Sequence, residues 1–355
     1  MKICAQSTPA RGAQPRSSHL LRLASVILFA AVLQPLALAQ DTIALVGSGS
    51  SVPAPLYAKW AEMFNQHDPK IKMRYLPIGT SEGINQISHG SGDFGAGEVP
   101  LTAKERREGE LFEVPAVIIG IVPIYNLPGI QQELRFSGDI LAEIFLGHVK
   151  TWKSSSLAKL NPDVNLPDLP IKVVYRPAGK GSNFVFSEFL SKTNARFRAE
   201  IGTSPSPKWP VGAPAERSSD MADKVKNETG SIGYVEAQYA IKAKISFGLV
   251  LNPAGQFVKA SPETMIAACR AVEAPKWNKL AASLTNAPGK DSFPITSFTW
   301  LYLRTASTDS KRTAALANLL NWMFTDGQRL AAREGYTELP EPLLAKVKTA
   351  ISSLR

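Results

Sequence analysis

Two apolar runs constrain the fold more than any other feature of this chain. Residues 114–127 read VPAVIIGIVPIYNL and residues 293–304 read FPITSFTWLYLR. Both are rich in β-branched and aromatic residues, and neither leads directly into a helix of its own, so each reads as one long strand. Elsewhere strand and helix patterns alternate. TIALVG (42–47) precedes a helix from about Pro53, KMRYLPI (72–78) precedes one at 82–89, and IKVVY (171–175) precedes NFVFSEFL (183–190). Alternation of this kind marks an α/β class. An economical path crosses from one lobe to another on the first run and returns on the second. Lobe I is then discontinuous, 40–120 with 298–355, and lobe II is 121–297. After the return comes TAALANLLNWMFTDG (313–327), an amphipathic helix expected to close at Gly327. Ligand clefts favour such lobe junctions.

Residues 1–39 read as a signal peptide rather than as part of the fold. Lys2, Arg11, Arg16 and Arg22 supply the basic region, and LASVILFAAVLQPLALA (23–39) the apolar one. Ala37-Leu38-Ala39 gives the small-residue cleavage pattern. Gln34 and Pro35 interrupt the apolar stretch, which falls short of the ~20 residues of a spanning helix. Export to a periplasm as a soluble chain is the expectation.

Forty Lys+Arg, less the four of the leader, against thirty Asp+Glu leaves a net charge of +6 on the mature chain. No basic block with interleaved aromatics points to nucleic acid. Cys269 alone survives cleavage, since Cys4 is in the leader, so no internal disulfide is expected and Cys269 reads as an inert buried thiol. His19, His67, His89 and His148 are scattered without metal-ligand spacing, and neither metal nor cofactor is expected.

Three turns carry the chemistry. Ser50 and Ser51 precede the first helix, Thr80 and Ser81 the second, and Lys180, Gly181 and Ser182 the helix bearing Phe184, Phe186 and Phe189. An ordinary helix cap, worth ~1 kcal/mol, explains any one of them. Three together, one beside Arg176 and Lys180, point to an anion held by hydroxyls and helix N-termini. GTSEG (79–83) also fits the G-x-S-x-G elbow of a serine hydrolase with Ser81 as nucleophile. No histidine lies where a triad needs one, so catalysis is not expected. RPAGKGS fails as a phosphate-binding P-loop because Val174 stands where its first glycine belongs.

The order GSGSSVPAPLYAKW, YLPIGTSEGINQI, DFGAGEVPL, FLGHVKTW with KLNP, VVYRPAGKGSNFVF, KWPVG, GSIGYVE and FPITS resembles the phosphate-binding periplasmic component of the Pst-type ABC transporter. The resemblance covers essentially the whole mature chain. It implies a type II periplasmic-binding-protein fold, two α/β lobes joined by two hinge strands, with a dehydrated phosphate clamped between them. A monomer that delivers phosphate to an ABC permease is implied too. Residue by residue, it places phosphate-binding roles on Ser51, the Val52 backbone N–H, Thr80, Glu98, Arg176, Lys180, Gly181 and Ser182. Glu98 falls where the family has an aspartate that accepts the proton of monohydrogen phosphate.

Four positions depart from the family pattern. Glu98 replaces that aspartate, Lys180 a serine, Ala178 an aspartate that pairs with the arginine, and Val52 a phenylalanine. A coupled change in which the Glu98 carboxylate meets Lys180 directly is one expectation. Altered oxyanion preference, or a non-transporting surface or scaffold role, are the alternative functions.

Overall fold

A computed structural model describes residues 42–272, 282–306, 308–352 and 354. The leader expected at 1–39, with Cys4 and His19, lies outside the described residues. The first run consists of strand β1 (Ile43–Gly49), helix α1 (Ala54–His67), β2 (Ile71–Leu76), α2 (Thr80–Ser88), β3 (Phe94–Gly97) and α3 (Ala103–Glu108). The long strand β4 (Leu111–Tyr125) follows, then β5 (Arg135–Phe136), α4 (Gly138–Phe145), α5 (Ser155–Leu160), β6 (Lys172–Tyr175), α6 (Gly181–Thr193) and α7 (Ala195–Glu200). Next come β7 (Ala213–Pro214), α8 (Ser218–Asn227), β8 (Ser231–Glu236), α9 (Ala237–Ala243), β9 (Leu249–Leu251), β10 (Phe257–Val258) and α10 (Pro262–Ala271). The chain ends with β11 (Thr296–Arg304), α11 (Ser310–Met323), α12 (Asp326–Arg333) and α13 (Glu341–Ile351).

Both apolar runs are strands, and β4 is the hub of the fold. The eight-stranded sheet has the order β2-β1-β3-β11-β4-β8-β6-β7. From Leu111 to Gly120 β4 pairs antiparallel with β11, and from Ile121 to Tyr125 it pairs antiparallel with β8. One continuous strand thus belongs to two strand sets, as the uninterrupted apolar pattern predicts. Its near-complete burial explains why it reads as a solid hydrophobic run rather than as an alternation. Pro115 cannot donate to the ladder, and β4 bulges beside it: Trp300 pairs with Pro115 and Thr299 with Val117, leaving Ala116 out of register. The freed Ala116 carbonyl accepts from Gln328 Nε2 at 2.9 Å.

Each set has its own α/β layering. Parallel pairs β1–β2 and β1–β3 carry α1 and α2, and parallel pairs β6–β8 and β6–β7 carry α6 and α8. The apolar face of α1 buries Leu56, Tyr57, Trp60 and Phe64, the helical spacing seen in the sequence.

Two local expectations are corrected. Gly327 does not close the amphipathic helix. That helix stops at Met323, and Gly327 opens α12, where its carbonyl accepts from the buried Trp60 Nε1 at 2.8 Å. A side chain there would crowd the indole, so this glycine serves packing rather than termination. Helix α2 begins at Thr80, two residues earlier than expected, because Gly79 at φ 104° acts as its N-cap. Ser81 therefore lies inside the first helical turn.

Candidate anion-binding site

Strand β1 with its parallel neighbour β3, and strand β6, which runs the opposite way in the other set, end at one place, and their C-terminal turns meet there. Gly49 makes the first turn possible. It holds φ 145°, and a Cβ would lie 1.9 Å from the Ala96 carbonyl oxygen. That closeness lets Ser50 N donate to Ala96 O at 2.9 Å, tying β1 to β3. Three tyrosines then grip the turn by its carbonyls. Tyr75 OH donates to Ser50 O at 2.8 Å, Tyr239 OH to Ser51 O at 3.1 Å, and Tyr336 OH to Val52 O at 2.9 Å. The Val52 N–H is turned inward to the Ser50 hydroxyl at 3.1 Å, and its side chain is in the core.

The second turn supplies Thr80, fully buried at the start of α2. Its hydroxyl donates to Glu98 Oε2 at 3.2 Å. Ser81 N donates to Gly179 O at 3.2 Å, joining the second turn to the third. The Ser81 side chain is exposed, and His89, at the other end of α2, has its Nδ1 against Asn85 O at 2.8 Å.

Glu98 follows β3 and is fully buried, with Oε1 lacking a hydrogen-bond partner among the described residues. Burial is the main cause that pushes its carboxyl up to about 8. The Ser50 and Thr80 hydroxyls and Arg176 pull in the other direction, while a second carboxylate, Glu236, adds to the rise. At neutral pH this carboxyl holds its proton in the closed site. The extra methylene of glutamate is accommodated because residue 181 has no side chain. A Cβ on Gly181 would lie 1.8 Å from Glu98 Oε2.

Arg176 stands just beyond β6 with a relative exposure of 1%. Its Nη2 donates to Ser51 Oγ at 3.2 Å and to Glu216 O at 2.7 Å. Its Nη1 donates to Ser218 Oγ at 3.1 Å and, at 3.5 Å, to Ser182 Oγ. The loop that presents it is braced by Asn183, whose Nδ2 donates to the carbonyls of Arg176, Pro177 and Pro205. Helix α6 starts at Gly181 without a side-chain cap, so its first-turn N–H groups are directed at the same spot.

Ser51, Thr80, Glu98, Arg176, Gly181 and Ser182 are thus brought together, with Val52 beside them. Lys180 is the correction. It does not meet Glu98, and its Nζ pairs with Glu216 Oε2 at 3.1 Å on the rim, where Glu216 is largely exposed. Cys269 is a buried free thiol whose pKa burial raises to about 12, and no group of metal-ligating side chains occurs among the described residues.

The sequence marks the Ser50 turn but not the action of Ser50 on Glu98, and three contributors carried no such mark: Ser218, which accepts from Arg176; Tyr239; and Glu236 at the end of β8. The only available signal for Glu236 is a carboxylate closing an apolar strand, at the strand end where α/β sites form.

Buried donors converging from helix starts, an arginine fork and a buried carboxyl form a cluster whose chemistry suits a small tetrahedral anion. The model of the PBP superfamily domain matches residues 12–327. A Phosphate-binding protein PstS from Pasteurella multocida is 35% identical over 323 residues, covering 91% of this chain and 94% of that one. The chain belongs to this phosphate-binding protein family. The Haemophilus influenzae member is 36% identical over 309 residues, 86% of this chain and 91% of its own.

Among solved structures, a high-affinity periplasmic phosphate-binding protein bound with phosphate matches at TM-score 0.70 and 17% identity, covering 86% of this chain and 93% of that one. A phosphate ABC transporter substrate-binding protein with bound phosphate from Clostridium perfringens matches at TM-score 0.62 and 19% identity, covering 84% and 100%. The family's two-lobed α/β fold is therefore the fold of this member, with β4 and β11 as the strands that join the lobes.

Proposed function

We propose that this chain captures inorganic phosphate between its lobes and delivers it to an ABC permease, without catalytic turnover. One observation carries the reading: Arg176 from one strand set and Ser51 from the other are bonded at the focus of three helix-start turns. The ligand sits among Ser51, Val52, Thr80, Glu98, Arg176, Gly181 and Ser182, with Lys180 at the mouth. The lobes are 40–120 with 298–355, and 121–297. Residues 1–39 direct a monomer to the periplasm and are removed there.

The identity of the anion follows from Glu98. Once ionised, above about pH 8, the Glu98 carboxylate repels an oxyanion unless a proton lies between them, and phosphate and arsenate bring that proton whereas sulfate does not. A second reading, relaxed oxyanion choice, is favoured by the same residue, because the glutamate reaches as far as Gly181. A thermal melt with phosphate, sulfate, arsenate and molybdate tests both. Phosphate at a hundredfold excess over its dissociation constant adds about 2.7 kcal/mol of stability. No shift with any of the four anions sinks the transport reading and favours a scaffold. Equal shifts with phosphate and sulfate favour relaxed choice.

A further inference from the structure

Arg176 has no ion pair among the described residues. Its guanidinium reaches only three serine hydroxyls and one carbonyl, and it is almost wholly buried. A buried cation held only by neutral groups is costly unless a counter-charge lies close. Glu236 is that charge. It is fully buried at the end of β8, and neither carboxylate oxygen has a partner at hydrogen-bond geometry.

The topology brings the two together. Strands β6 and β8 run parallel with Lys172 beside Ser231 and Val173 beside Ile232. Carried forward, that register sets Arg176 alongside Val235, one residue before Glu236. Arg176 N donating to the Tyr234 hydroxyl at 3.1 Å holds the loop to β8. Burial raises the Glu236 carboxyl, and Arg176 is the strongest influence holding it charged, followed by the Ser218 hydroxyl. At Glu98 the influence of Arg176 comes last. The other titratable groups within reach of Glu236 are Glu98, Tyr234, Tyr239 and Tyr336, all acids, so Arg176 is its one cationic neighbour in this set.

We propose that Glu236 is a positioning residue of the anion site, supplying the counter-charge of Arg176 while the cleft is empty and opposing the anion that enters. The second half of this proposal rests on the phosphate reading above. The division of labour differs from a shared role: Glu98 reads the proton on the ligand, and Glu236 sets the charge of the empty site.

Two variants of the full mature chain, Glu236→Gln and Glu236→Asp, separate charge from packing. Glutamine keeps the shape and loses the charge. Aspartate keeps the charge and loses a methylene. The ligand-free melting temperature of Glu236→Gln should fall by about 2–4 °C or more, while Glu236→Asp stays nearer wild type. In calorimetric titrations with inorganic phosphate, Glu236→Gln should bind about tenfold more tightly, since a like charge has gone. Melting temperatures that fall as far in the aspartate as in the glutamine variant overturn the counter-charge role. Unchanged or weaker phosphate binding by Glu236→Gln overturns the opposing role. If wild type binds no phosphate, the functional reading fails, and the ligand-free melts still decide whether Glu236 balances Arg176.

Discussion

Arg176 Nη2 donates to Ser51 Oγ at 3.2 Å, joining residues 125 positions apart and drawn from different strand sets. The bond ties the set that carries the Thr80–Glu98 contact to the set that carries Arg176, so anion binding is expected to draw the lobes together. Such hinge closure follows when the ligand completes contacts that neither lobe makes alone.

Loss of either side of that bond should weaken binding unequally. Ser51→Ala removes one hydrogen bond to a charged group, worth about 1.5–3 kcal/mol, and should raise the phosphate Kd roughly tenfold or more. Arg176→Lys replaces a fork that reaches four oxygens by a single point charge, and should cost more. Titration calorimetry ranks the two variants. Equal affinities would deny the fork its role.

Gly181 should tolerate no side chain. Because a Cβ there would lie 1.8 Å from Glu98 Oε2, Gly181→Ala must displace either the carboxyl or the start of α6. Phosphate binding should be lost or fall at least a hundredfold, with a lowered melting temperature. The double variant Gly181→Ala/Glu98→Ala should recover stability without recovering selectivity. A single variant that binds like wild type would show that the closed geometry is not the bound one.

These elements differ in how far the sequence revealed them. Strands β4 and β11 were legible because burial on both faces leaves an unbroken apolar run, and three site turns were legible because glycine and hydroxyl residues precede helices. The partners of Lys180 and Arg176 were not. Whether Lys180 turns to Glu98 or to Glu216, and whether Glu236 lies beside Arg176, depends on strand order, which local patterns do not encode. Gly327 misled for a related reason: a glycine after an amphipathic run usually ends it, but here Trp60, distant in sequence, needs the space.

Stability of the ligand-free protein should depend on pH through Glu98. Its carboxyl is raised from 4.5 to about 8 in the folded chain, so between those values the native state holds a proton that the unfolded chain releases. The native state binding more protons means that stability falls as pH rises across that window, by on the order of a few kcal/mol, and levels off above it. Melting curves from pH 5 to 9 should show the decline, and Glu98→Gln should flatten it. A rising curve over the same range in the wild type would contradict the burial of an uncompensated carboxyl.

The most direct measurement is the ratio of phosphate to sulfate affinity of the mature chain at pH 8.5, by competitive calorimetry, for wild type and Glu98→Gln. At that pH phosphate still carries one proton and sulfate none. The account predicts one phosphate per chain, preferred over sulfate, and a ratio that narrows by roughly tenfold or more in the glutamine variant, because an amide donates to sulfate where a carboxylate repels it. A wild type that prefers sulfate, or a ratio left unchanged by Glu98→Gln, would contradict it.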